Sequence, residues 1–402
     1  MQRLRILQVF SRYLHFGGEE LSVQRICRHV GLDHEVIHFD IDNREWAGPG
    51  APSMPVQALR TIYNEDTRRR FEAAVAQHRP DLALFHNIFP VGSPSLYDAA
   101  NRTKTPVIQY AHNYRPFSVG GSLFVRGKVN TASLRGNYWP EILHGAWQNS
   151  RIKTALLALA LRRLRSAGWL DAARAWVCVS EFMCDKFVAA GVPADRVFGL
   201  RYSWEWMSDP PPSEDGGYYL FLGRLVHEKG VHALLEAWHK LHAQLGDKTP
   251  ELRMAGEGLL QEKVMAAAAL NPRIKAVGML TGEAKHEALR RCRAVVFPSI
   301  WWEPMGLVTY EAYDYSKPVL GAASGGITET IMDGVTGFLH EPGNVDKMVS
   351  DAIVMDSLPP EKRLEMGQAG RRWLLANTSP DLWRKNFEAI LRKALPSLAS
   401  EG

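Results

Sequence analysis

Cysteine is scarce in this chain, and no long apolar run is present. The four cysteines, Cys27, Cys178, Cys184 and Cys292, are scattered through 402 residues. None forms a C-x-x-C pair or joins histidines at metal-ligand spacing, so a disulfide scaffold and a small zinc fold are both excluded. No apolar stretch approaches the length needed to span a bilayer. The opening MQRLRILQVF is too short and too mixed for a secretory signal. The expectation is a cytoplasmic protein. Short repeats and low-complexity tracts are missing too, which excludes solenoids and disordered tails. What remains is ordinary globular material: 46% apolar and 23% charged residues, enough for two cores at this length.

Acidic residues are also scarce in one region. Between Arg102 and Arg174 twelve lysines and arginines face only Glu141 and Asp171. A surface of that sign attracts anionic partners such as acidic lipid or a lipid pyrophosphate. Within it, residues 151–170 read RIKTALLALALRRLRSAGWL. Leu157, Leu161 and Leu164 share one helical face, bracketed by Arg151, Lys153, Arg162, Arg163 and Arg165. The pattern suits a helix lying on the inner face of an anionic membrane, or a core-facing helix with a basic outer side. No nucleic-acid reading motif accompanies the charge, so a nucleic-acid partner is not expected.

The chain alternates buried-strand runs with helical segments twice over. The first series is LRILQVF, HEVIHFDI, DLALFHNI, PVIQYAHN and AWVCVSEF. The second is YYLFLGRL, ELRMAGEG, RIKAVGML, AVVFPSI and PVLGAAS. Between them, residues 201–217 hold three consecutive prolines, acids and a glycine pair, which no packed element tolerates. This predicts an α/β protein of two doubly wound parallel-sheet domains, 1–205 and 206–378. A terminal segment, 379–402, carries a helix expected to pack back on the first domain. Ligands of such sheets bind outside the carboxyl ends of the strands.

The chemistry concentrates at strand ends in the second half. Glu303-Pro304 follows a strand, and proline suits the first turn of a helix, so a helix is expected from Pro304 to Tyr315. Its N–H groups would favour a phosphate. Glu303 stands at its mouth and Glu311 about two turns on, nearly on the same side, where a carboxylate can meet a vicinal diol. Arg224 and Lys229, at the turn after another strand, offer two cations to a diphosphate leaving group. In the first half, Gly17-Gly18 before a helix can cradle a phosphate or let an acceptor approach. His112 and its rival His86 each follow a strand.

Residues 297–338 resemble the signature of glycosyltransferase family 4, retaining enzymes of GT-B architecture. The elements are Glu303, Glu311, Lys317-Pro318-Val319, Gly325-Gly326, Glu329, Asp333-Gly334 and Thr336-Gly337. Gly223-Arg224-Leu225 with Lys229-Gly230 matches the family's diphosphate-binding pair. The resemblance implies two Rossmann-like domains facing a central cleft. It gives Glu303 the donor-sugar hydroxyls, Glu311 the ribose, and Arg224 and Lys229 the diphosphate. Main-chain groups at Met305, Gly306 and Leu307 would also hold the diphosphate, and Gly256 and Met279 would approach the nucleoside. Gly17 and Gly18 would lie near the donor phosphates, and His112 would position the sugar. No metal or other cofactor is implied, because no D-x-D lies in a loop after a strand of the second half.

The implied activity is transfer of a hexose from a UDP- or GDP-sugar to a glycan or lipid-linked saccharide, in cell-surface polysaccharide synthesis. The partners implied are that nucleotide-sugar donor and that acceptor, with peripheral contact to an anionic membrane. Rival readings are an epimerase or sugar-phosphate synthase on the same fold, or a non-catalytic relative that binds sugar nucleotides.

Overall fold

Short, buried runs of branched and aromatic residues dictate the central strands of both halves. In the computed structural model, which describes residues 2–12 and 18–396, the chain divides into two units. One comprises residues up to Ser203, apart from Gly127–Val129, together with Pro380–Gly402; the other comprises Trp204–Ser379 and Gly127–Val129.

The first unit holds β1 (Arg5–Arg12), β2 (Glu35–Asp42), β3 (Leu82–Phe85), β4 (Val107–Ala111), β5 (Ala173–Cys178) and β6 (Val197–Gly199). All neighbours pair in parallel, in the order β2-β1-β3-β4-β5-β6. Every residue of β3 and β4 is buried. That fits a parallel sheet covered on both faces. The helix Arg151–Ser166 points Leu157, Leu161 and Leu164 into the core, where each is wholly buried. Of the two readings of that leucine face, the core-facing one holds and the membrane-facing one does not: it packs inside the protein. Helix Pro380–Ala394 belongs to this unit through Trp383, whose indole ring stacks on Phe387 and on Tyr110 of β4.

The second unit holds β7 (Tyr218–Leu222), β8 (Glu251–Ala255), β9 (Ile274–Gly278), β10 (Ala294–Phe297), β11 (Val319–Ala322) and β12 (Gly337–His340). Their order is β9-β8-β7-β10-β11-β12, again all parallel. The order runs outward in one direction from β7 and in the other from β10, so the topological switch lies between these two central strands. Helix Val231–Leu245 packs on this sheet through Leu234, Trp238 and Leu241, spaced for one face. Each such buried side chain contributes about 1.5–3 kcal/mol relative to exposure.

Two edge strands, β6 and β12, were not legible in the sequence: Val197–Gly199 and Gly337–His340 each hold only two large apolar residues, too few to show a run. The helix expected from Pro304 starts at Val308 and ends at Asp314. Gly306 explains the delay. Its φ of +84° is left-handed, so the chain turns before it can coil. No helix among the described residues is long and apolar enough to cross a membrane.

Candidate functional site

The turn after β7 carries Arg224 and Lys229, and the segment after β10 carries Glu303. Gly223 ends β7 and runs beside Gly256 at the end of β8, where a Cβ on Gly256 would stand 1.8 Å from the Gly223 carbonyl oxygen. Only glycine permits that approach. Gly230, with φ +74°, lies as close to the Pro298 carbonyl oxygen after β10, 1.9 Å from a would-be Cβ. Ile300 N–H also donates to the Glu228 carbonyl oxygen at 3.0 Å. These backbone contacts hold the turn after β7 against the segment after β10.

Lys229 and Glu303 meet across that seam. The Lys229 Nζ lies 2.5 Å from Glu303 Oε1. The same oxygen accepts from Trp301 Nε1 at 2.7 Å and from the buried Ser299 hydroxyl. Glu303 is itself buried, so a charge taken out of water is matched by three donors converging on one oxygen. Lys229 also stands over the rings of Phe297 and Trp301, 5.6 and 5.4 Å from their centroids. The main chain of Glu303 is pinned too. Its carbonyl accepts from Gly326 N–H at 2.8 Å, and a Cβ on Gly325 would collide with it at 2.2 Å.

The other residues singled out from the second half lie after neighbouring strands or at the short helix Val308–Asp314. Arg224 is mostly exposed, with Glu228 beside it at 3.4 Å. Glu311 lies in the short helix Val308–Asp314 and accepts from Lys285 Nζ at 2.8 Å. Met279 follows β9 with its side chain exposed, whereas Met305 is buried and can offer a ligand only its main chain. Gly306 admits no side chain, because a Cβ would sit 2.6 Å from the Phe297 ring. Leu307 precedes the helix as its N-cap. Ser299, Trp301 and Lys285 were missed by the sequence reading. Ser299 and Trp301 flank Glu303 closely, but nothing in their spacing marks them as its donors.

The first unit presents a different arrangement. His112, just beyond β4, donates or accepts at both ring nitrogens: Nδ1 to the Tyr202 hydroxyl at 2.6 Å and Nε2 to His86 Nδ1 at 2.9 Å. His86 Nε2 meets the Gln8 amide nitrogen at 3.3 Å. The rings of His86, His112, Tyr110 and Tyr202 stack. Burial pushes the His112 pKa down to about 3 and holds His86 well below the usual imidazole range. The ring expected to position a sugar is thus neutral and committed to internal partners. Gly18 opens helix Gly18–Asp33 with open space around its Cβ position, and Gly17 lies outside the described residues. A small open pocket bounded by Glu19, His86, His112 and Arg115 sits beside this chain of rings.

Comparison with known proteins finds a family likeness over the second unit. Residues 203–373 match the model of the family described as glycosyl transferases group 1. An uncharacterised glycosyltransferase of Methanocaldococcus jannaschii is 28% identical over 198 residues, 43% of this chain and 49% of the relative. A lipopolysaccharide 1,2-N-acetylglucosaminetransferase of Salmonella typhimurium is 27% identical over 191 residues, 45% of this chain and 49% of the relative. The chain thus spans about half the length of these curated relatives. The solved structure of Anabaena HepE in complex with UDP matches over 96% of this chain and 99% of its own. The TM-score is 0.67 at 17% identity, a likeness of fold: two Rossmann-like units of the GT-B kind.

Proposed function

We propose that this chain, whose residues 203–373 match the glycosyl transferases group 1, is a retaining glycosyltransferase. It moves a hexose from a UDP- or GDP-sugar to a glycan or lipid-linked saccharide, in the building of a cell-surface polysaccharide. The observation that carries the reading is the Lys229–Glu303 pair at the strand-order switch, held by Ser299 and Trp301. In this reading the second carboxylate oxygen of Glu303 takes donor-sugar hydroxyls. Arg224 and Lys229 take the diphosphate, whose charge grows as the bond from the sugar's anomeric carbon breaks. Glu311 exchanges its bond to Lys285 for the ribose hydroxyls. The acceptor oxygen forms its bond on the face the phosphate leaves, and its proton passes to that phosphate. The UDP held by HepE and the transferase activity named for the Salmonella relative support a nucleotide-sugar donor.

Thermal unfolding of the purified chain against UDP, GDP, ADP and TDP tests this. A nucleotide at about 100 times its dissociation constant adds roughly 2.7 kcal/mol. The expected result is a clear rise in Tm with UDP or GDP, sharply reduced in Glu311→Ala. A chain that responds to none of the four, and transfers no sugar from UDP- or GDP-hexoses in an acceptor screen, removes the reading.

A further inference from the structure

A cavity of about 640 Å³ opens at the amino ends of β3, β4 and β5. This is the opposite edge of the first sheet from the carboxyl ends, where His86 and His112 follow their strands. The volume falls in the range of about 300–1,000 Å³ typical of small-molecule sites. Two exposed cations line it: Lys104, the C-cap of helix Ser95–Thr103, and Arg174, the second residue of β5. Neither has a carboxylate partner among the described residues. Arg102, in the last turn of the same helix, differs: it is paired with Asp98 at 2.9 Å. Both cations sit at irregular backbone. Lys104 has a φ of +56°, the left-handed region that a side chain disfavours. Arg174 is the extra residue of a bulge, since Val107 and Ile108 of β4 register with Ala173 and Ala175 and skip it. A bulge re-aims the side chain it adds. Ala173 and Ala175 are accordingly buried, while Arg174 between them is exposed.

The other polar groups of the cavity differ in kind. Asp81, just before β3, accepts from the Arg5 N–H through Oδ2 at 2.6 Å, and its second oxygen remains as an acceptor. Asn101 is exposed and adds an amide, both donor and acceptor. A phosphate monoester carries about 1.5–2 negative charges at neutral pH, which two cations match. A single carboxylate would leave one cation uncompensated. Asp81 repels a bare anion and accepts from hydroxyls, so the fitting ligand carries hydroxyls as well as the phosphate. No aromatic ring lines the cavity, so a nucleobase finds nothing to stack on. None of the lining residues is an exposed large apolar side chain, and Leu395 is buried, so a lipid tail finds no apolar rim either.

We infer that this cavity binds a small phosphorylated sugar, with Lys104 and Arg174 on the phosphate and Asp81 and Asn101 on the hydroxyls. The inference stands apart from the donor reading, since none of these residues belongs to the second unit.

The test is isothermal titration of the full chain with glucose 1-phosphate, glucose 6-phosphate, fructose 6-phosphate, inorganic phosphate and glucose. At least one sugar phosphate is expected to bind, more tightly than inorganic phosphate, and glucose is expected not to bind. Lys104→Gln/Arg174→Gln, its fold confirmed by circular dichroism, should weaken that sugar phosphate by about tenfold or more, because charge-assisted hydrogen bonds are lost. Failure of all three sugar phosphates to bind overturns the inference. So does equal binding in the wild type and the glutamine variant, which would put the sugar phosphate elsewhere on the chain. Inorganic phosphate binding as tightly as the sugar phosphates also overturns it, since the hydroxyls would then contribute nothing. A nucleotide-induced rise in Tm is expected to survive in the variant, so failure here leaves the donor reading untouched.

Discussion

The two units carry titratable groups at the ends of their central strands in opposite states. In the second, the groups are charged and paired with one another: Lys229 with Glu303, Lys285 with Glu311, Arg224 with Glu228. A ligand entering there must replace the hydrogen bonds of one charged partner with its own. In the first, His86 and His112 are neutral, stacked and hydrogen-bonded inside the fold. Protonating or redirecting them means breaking packing. The same sheet position thus carries paired charges in one unit and neutral, packed rings in the other.

Removing Lys229 tests that difference most severely. Lys229→Ala leaves the buried Glu303 carboxylate with Ser299 and Trp301 alone, and losing one partner of a buried pair costs about 3–5 kcal/mol. Urea unfolding should show the second unit destabilised towards the lower figure, since two donors remain. The double variant Lys229→Met/Glu303→Gln should recover most of that stability and no turnover. A Lys229→Ala protein as stable as the wild type would mean the pair is an incidental surface contact.

Arg224 sharpens the comparison from the other side. Being mostly exposed, with one distant partner, it holds little of the fold together. Arg224→Ala should leave Tm nearly unchanged and cut kcat by about 10²–10³, equivalent to about 2.7–4 kcal/mol of lost charge stabilisation. Steady-state kinetics with the donor found by the nucleotide screen measures it. Turnover within a few-fold of the wild type would detach Arg224 from the leaving group.

How far the sequence could be read follows the same division. Both sheets were legible because their central strands are unbroken apolar runs, and only the short edge strands β6 and β12 escaped. In the second unit the residues gathered at the switch come from a few local stretches, so their spacing carries information. The partners that hold them do not: Lys285 lies 26 positions from Glu311, and Lys229 74 from Glu303. The start of the short helix was misplaced because proline at a first turn is a sound signal that the left-handed Gly306 overrode. In the first unit the Gln8–His86–His112–Tyr202 chain joins residues separated by 78, 26 and 90 positions. No periodicity reports a contact of that kind, so the internal partners of His112 and His86 were not legible in the sequence.

Acid should break the first unit before the second. His112, depressed to about 3, and His86, held well below the imidazole range, stay neutral in the folded chain. Once unfolded, both take up protons below about pH 6.5. Their contribution to stability is therefore complete above that pH and drains away as the pH falls towards the folded pKa values. Each histidine accounts for about 1.4 kcal/mol per pH unit within that window. The second unit buries His340, depressed to about 4 by burial and by Lys347. It also holds His232, lowered more modestly by partial burial and by the neighbouring Lys263 and His227. Hydrogen exchange measured separately in β4 and β7 between pH 7 and pH 5 should show protection falling more steeply in β4. His112→Gln, which keeps a polar side chain but cannot titrate, should flatten the β4 slope by about one histidine's share and leave β7 unchanged. Equal slopes in the two strands would place the acid sensitivity elsewhere and remove the contrast between the two units.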